Sequence, residues 1–418
     1  MNLRHTLLQM WLPVLMVTLG LWAGSWTTGP SLHTPRAGAS AVALDGYIYV
    51  LGGMTTGGTL LNSVERFDPA TGQWDPGVVP PFNIPRADAA AVVYQGKIYL
   101  MGGRDGGDNA IKDVQVYDPV QNSWTTAQEM REKRAGHSAV ILQNAICVFA
   151  GLEKEYEFVK EIEYFTGNDW EKSDSEMVEL RVSAFAGVRD STIFMLGGFY
   201  LGPTATGHRI RLIDNWGFVW QPGTPLAEAR GAGASVQAGD SLYLIGGETL
   251  GGATNRVEIL NLRTGTIHSA PPMPTPRKAI AAALWEGKIY VAGGIPAGQN
   301  QPTTLVEVYS DSTLTTLPQP PAPSPVQSFA LLKAYPNPFN GRVTLQAEVN
   351  RTQKVSLVVY DLLGRPVQEI FRGQLSPGVH QFRWEARSGT NQPLASGIYL
   401  AVLRGRGWTR QQKVIYVK

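Results

Sequence analysis

Residues 36–53 read RAGASAVALDGYIYVLGG: an arginine, a run of small residues, an Asp-Gly pair, an aromatic run and two glycines. The two apolar runs flank Asp45-Gly46, a dipeptide that takes the left-handed conformations of a tight two-residue hairpin turn. The frame recurs along the chain. Arginines stand at 36, 86, 134, 181, 230 and 277, and 16 residues after each comes Gly52, Gly102, Ala150, Gly197, Gly246 or Gly293. A glycine follows in all six copies, and Tyr49, Tyr99, Cys147, Phe194, Tyr243 or Tyr290 lies three residues before the pair. A period of 47–50 residues marks a repeat architecture.

Two further strands complete each unit. In the first copy these are VERFDP (64–69) and a strand opening at Trp74; Trp124, Trp170, Trp220, Ile267 and Leu314 take the latter place in the other copies. The double glycine, strand aromatic, YDP-like turn and spaced tryptophan resemble kelch repeats. What that resemblance implies is an all-β chain with a six-bladed kelch-type β-propeller, four antiparallel strands per blade. Blade 3 departs most, with Ala150 for a glycine and IEYFTGNDW for the turn. Trp26 stands at the position of an outermost strand with no unit before it, so residues 26–34 are expected to complete blade 6. Residues 313–322 compete for the same place. Closing the ring covers the edge that blade 6 would otherwise leave free.

The rest of the chain is read by composition. Of 418 residues, 43% are hydrophobic and 17% charged, which is globular material. A formal charge of +2 gives no reason to expect nucleic acid, and one cysteine permits no internal disulfide. Residues 1–25 carry Arg4, an uncharged run from Leu7 to Leu21 and small residues at Ala23-Gly24-Ser25, the signature of a cleaved signal peptide. The run is too short to span a bilayer, so no transmembrane anchor is expected in the processed chain. The propeller is assigned to residues 26–317, and the proline-rich residues 318–326 to a linker. Residues 327–418 alternate apolar and polar side chains at strand period and are expected to form a small immunoglobulin-like β-sandwich. YPNPFN, VYDLLGRPV, SGIYLAVL and KVIYVK resemble the type A C-terminal sorting domain (Por secretion tail) of the type IX secretion system. That likeness implies engagement of the type IX machinery and passage through the periplasm of a Gram-negative bacterium to a secreted or cell-surface location.

Catalytic signals are weak. GASA, GHSA and GASV lack the G-x-S-x-G spacing of a nucleophile elbow and belong to the first strands. The histidines are scattered, RDGGDNAIKD (104–113) lacks a calcium-loop pattern, and no cofactor or metal is expected. Strand alternation places the loop before each first strand and the loop after each glycine pair on one face. The candidate ligand-binding residues on that mouth are Arg104, Glu248, Phe199, Asp88, His137, Lys278 and Ser183. The expected function is a secreted or surface-anchored monomer that binds a protein or glycan through this face. The alternative is a carbohydrate-active enzyme: exported six-bladed kelch proteins include sialic-acid epimerases, and here Glu248 and Arg104 would serve as base and substrate clamp.

Overall fold

The computed structural model describes residues 24–311 except 155, 156, 168, 214 and 215, then Leu314, and 331–418 except 350, 351, 362, 363, 377, 388–391, 406 and 407. Two units result, Met1–Gln319 and Pro320–Lys418. Of the signal peptide expected over residues 1–25, residues 1–23 lie outside the described residues, as does the linker expected at 318–326, while residues 24 and 25 belong to a strand.

The first unit holds six four-stranded antiparallel sheets, the blades. Blade 1 runs Ser40–Leu44, Tyr47–Leu51, Val64–Asp68 and Gln73–Pro76 from the inside outward. Blades 2 to 5 follow the same order, their innermost strands being Ala90–Tyr94, Ser138–Leu142, Phe185–Arg189 and Ala234–Ala238. Blade 6 consists of Ala281–Trp285, Lys288–Ala292, Val306–Asp311 and, as its outer strand, Gly24–Thr28 from the start of the unit. Each innermost strand touches the next, and that of blade 6 touches that of blade 1, so the array is a closed propeller.

Period-two alternation explains the packing. Ile48 and Val50 face blade 6 while Tyr49 and Leu51, from the same strand, face blade 2. A strand buried on both faces has no polar side to show, hence the unbroken apolar run YIYVL. Six apolar clusters fill the six blade interfaces. The hairpin turns take the expected form: Asp45 and Gly46, Gln95 and Gly96, and Glu286 and Gly287 all have positive φ. The YDP turns are closed by the aspartate, Asp68 accepting from Ala70 N–H at 2.9 Å and Asp118 from Val120 N–H at 3.0 Å.

Register identifies the seventh tryptophan-like position. Phe67 pairs with Trp74, Tyr117 with Trp124, Phe165 with Trp170 and Ile210 with Trp220; in blade 6, Tyr309 pairs with Trp26. Leu314, assigned to this place from its spacing, instead packs in the cluster between blades 5 and 6. The remainder of 313–322 lies outside the described residues.

The second unit is a two-sheet β-sandwich. Leu331–Tyr335, Val343–Val349 and Gly378–Trp384 form one sheet. Pro366–Leu375, Gln353–Tyr360, Gly397–Gly405 and Trp408–Tyr416 form the other, and one core that includes Leu345, Leu357, Trp384 and Leu403 lies between them. No helix among the described residues is long and apolar enough to cross a membrane.

Candidate functional site

The mouth of the propeller is built on the repeat arginines, all six of which are buried. Each guanidinium reaches 16 residues forward to the carbonyl of the first residue of its own glycine pair. Arg36 does so to Gly52 at 3.0 Å, Arg134 to Ala150 at 3.0 Å, and Arg277 to Gly293 at 2.6 Å. A carboxylate compensates the buried charge: Glu65, Glu163, Glu258 and Glu307, each on a third strand, bind Arg36, Arg134, Arg230 and Arg277. In blade 2, Asp113 takes over from Gln115, and in blade 4, Glu179 takes over where His208 occupies the strand position. Burial pushes Arg36, Arg86, Arg181, Arg230 and Arg277 below their usual pKa while the acidic partners pull it back up. The spacing read from the sequence is therefore the span of one hydrogen bond. The acids that answer it went unnoticed, although a glutamate follows the first apolar residue of four third strands.

The arginine backbone staples neighbouring blades. Gly53 N–H donates to Arg86 C=O at 2.9 Å, Gly103 to Arg134 at 2.8 Å, and so on until Gly294 donates to Arg36 at 2.8 Å. A Cβ on Gly102 would lie 2.5 Å from Arg134 O, and one on Gly293 2.3 Å from Arg36 O, so these two positions exclude a side chain.

Two residues beyond each arginine the chain enters the left-handed region, at Gly38, Asp88, Gly136, Ser183, Ala232 and Ala279. Here the amides form a closed ring. Asp88 N–H donates to Gly38 C=O, Gly136 to Asp88, Ser183 to Gly136, Ala232 to Ser183, Ala279 to Ala232 and Gly38 to Ala279, at 2.7–3.0 Å. Outside this ring sit the residues that follow the glycine pairs: Met54, Arg104, Leu152, Phe199, Glu248 and Ile295, all partly exposed. Each pairs through its backbone with the residue after the arginine, as in Ala87 with Arg104, Val182 with Phe199 and Gly231 with Glu248.

The seven candidates take different places on this frame. Asp88 and Ser183 belong to the amide ring. Arg104 clamps Asp88 (Nε–Oδ2 2.8 Å) and Asp108 (2.5 Å), and Asp88 above all raises its pKa. Glu248 binds Lys278 Nζ at 2.5 Å. These two ion-paired clusters stand on blades 2 and 5–6, so the structure brings Arg104 and Glu248 to one face but not to one another. Phe199 lies over Gly231, where a Cβ would meet its ring at 2.5 Å. His137 does not reach the rim. It is buried at the position of Ala39, Ala89 and Ala184, no group among the described residues bonds to either ring nitrogen, and burial followed by nearby Arg134 lowers its pKa to about 3. Cys147 is wholly buried, and burial pushes its thiol up to about 12, so it supplies no thiolate.

Comparison with known proteins follows the same division. Residues 14–151 match the KLHDC2/KLHL20/DRC7 Kelch-repeats domain, and residues 333–418 match the secretion system C-terminal sorting domain. An F-box/kelch-repeat protein of Arabidopsis thaliana is 39% identical over 61 residues, 15% of this chain and 15% of the relative. Kelch-like protein 33 of Homo sapiens is 37% identical over 75 residues, 18% of this chain and 14% of the relative. The aligned stretches thus span a small part of those proteins. The solved structure of YjhT superposes with a TM-score of 0.59 at 15% identity, over 69% of this chain and 98% of that one, a likeness of fold alone.

Proposed function

We propose that this chain, a kelch-repeat β-propeller protein with a secretion system C-terminal sorting domain, is exported through the type IX machinery and binds a protein or glycan outside the cell. The binding surface is the face that carries the loops after the glycine pairs. One observation carries the reading. At six equivalent positions on a common backbone frame the side chains are Met54, Arg104, Leu152, Phe199, Glu248 and Ile295, whereas the opposite face carries two-residue turns. A uniform frame with unlike side chains at its rim is how repeat folds present a recognition surface. Binding is favoured over acid–base chemistry because Glu248 and Arg104, the residues an epimerase reading would use, are each engaged by their own ion-pair partners.

The test is capture on a printed glycan array and a displayed random-peptide library. Arg104→Glu combined with Glu248→Lys is expected to abolish selective capture while leaving the melting temperature within a degree or two, since exposed ion pairs contribute only about 0–1 kcal/mol. Matched substitutions at the Asp45 and Gln95 turns are expected to leave capture intact. The reverse pattern overturns the face assignment.

A further inference from the structure

Between the loops of blades 3 and 4 the same face opens into a groove of about 490 Å³. One wall is the end of a two-stranded arm, Leu152–Lys154 against Glu157–Phe158, continued by Val159 to Glu161. Leu180, from the connection into blade 4, and the ridge Tyr200-Leu201 supply the rest. Phe158 and Tyr200 meet with ring centroids 5.1 Å apart, tilted by 53°. A second hollow of about 550 Å³ shares Leu180, Tyr200 and Leu201 and runs past Val178. Tyr200 is 52% exposed, Val178 67% and Leu201 78%, a concentration of apolar surface unlike singly scattered residues. Leu201 also has a φ of 57°, so a γ-branched apolar residue is held outward in a conformation that favours glycine.

Carboxylates outnumber cations among the side chains that line this groove. Glu132, Glu153, Glu157 and Glu161 line it against Lys160 alone, whose Nζ is turned away to Glu176 at 2.8 Å. Glu132 is held by Lys172, Glu157 by exposed Lys154 and Glu153 loosely by exposed Lys133 at 4.0 Å, while no ion pair reaches Glu161 among the described residues. We propose that this groove docks a cationic polypeptide segment. An apolar side chain seats between Phe158, Leu180 and Leu201, and an adjacent lysine or arginine is received by Glu161 with Glu153 or Glu157. The inference rests on the reading of the loop face as a binding surface and names the chemistry of one partner. A saccharide is the poorer fit: Phe158 and Tyr200 turn their rings on each other instead of presenting a flat stacking face, and clustered carboxylates call for a cation.

Fluorescence anisotropy with the full chain tests this, using a labelled decapeptide of alternating lysine and leucine as probe. Two counterparts carry glutamate for lysine or serine for leucine. Saturable binding of the first alone, weakened by salt, is expected. Glu157→Gln with Glu161→Gln should weaken it at least fivefold. Tyr200→Ser with Leu201→Gly should weaken it about tenfold at unchanged melting temperature, because glycine suits the left-handed position. Substitutions at the Asp45 and Gln95 turns on the opposite face should leave probe binding at the parent's level, and Arg104→Glu with Glu248→Lys serves as the rim variant. The proposal is overturned by equal binding of either counterpart, by groove variants that bind like the parent, or by no binding of the probe. Loss of binding in the rim variant alone overturns the groove and leaves the loop-face reading standing.

Discussion

The repeat arginine shows how much one residue can be asked to do. Its guanidinium satisfies a carbonyl that the glycine turn leaves without a strand partner, its charge answers a third-strand acid, and its own carbonyl holds the next blade. A buried pair of this kind adds little net stability, since desolvation opposes the Coulombic gain, but losing one member strands the other. His137 is the polar exception, an imidazole where other blades have Ala39, Ala89, Ala184, Gly233 and Ile280. Its pKa of about 3 lies below the usual 6.5, so the folded state refuses a proton that the unfolded chain accepts. Its contribution to stability is therefore complete above pH 6.5 and is lost progressively as pH falls toward 3. At about pH 4.5 the loss is on the order of 2–3 kcal/mol. Urea denaturation at pH 7 and at about pH 4.5 checks this: the midpoint of His137→Ala is expected to fall less on acidification than that of the parent. Equal falls would mean that His137 finds a proton acceptor in the fold.

At the scale of elements, the outer strand Gly24–Thr28 matters most. It pairs residue for residue with Glu307–Asp311, and the Trp26 indole donates to Pro271 C=O of the preceding blade at 2.9 Å. Trp74 donates in the same way to Pro30 at 2.8 Å, and Trp124 to Pro80 at 2.8 Å, so residues just after the outer strand of one blade receive the tryptophan of the next. The same segment offers the His33 and Thr34 amides to Glu65 at 2.7 and 2.9 Å. Both neighbours of the ring's seam thus depend on a terminal stretch. Trp26→Ala, at a half-buried site against Tyr309, is expected to cost about 2–3 kcal/mol by chemical denaturation. Removing residues 24–34 is expected to cost more and to broaden the transition, because blade 6 then has an open edge and Glu65 loses two donors. Unchanged denaturation of both variants would show that the seam closes without them.

For the whole molecule, closure is cooperative. Each amide of the six-membered ring bonds a neighbouring blade, and each apolar cluster belongs to two blades, so no blade completes its core alone. The second unit has its own core. A chain ending at Gln319 is therefore expected to keep the propeller's melting transition while failing to leave the cells of the native host. Fractionation of cells expressing both chains checks it. Appearance of the shortened chain outside the cell would assign the C-terminal unit a role other than sorting.

The propeller was legible in the sequence because its determinants are local and repeated six times. The Asp45-Gly46 turn, the apolar runs and the glycine pairs each state a backbone requirement within a few residues. The sorting unit was legible for the same reason, from motifs at fixed places in its strands. The candidate face was legible only as a face: strand alternation fixes which loops share a side, and Arg104, Phe199 and Glu248 take equivalent places after their glycine pairs. What each of these side chains touches depends on contacts between distant segments. His137 fell behind the rim because its side chain turns into a buried site that apolar or small residues, Ala39, Ala89, Ala184, Gly233 and Ile280, fill elsewhere. Arg104 and Glu248 were absorbed by Asp88 and Lys278, and Leu314 gave its strand position to Trp26 from the other end of the unit. Sequence determines what repeats at fixed spacing, since hydrogen bonds and turns act over short spans. Tertiary structure alone decided which buried charge meets which carboxylate and which loops enclose a groove, because those distances are set by closing the ring.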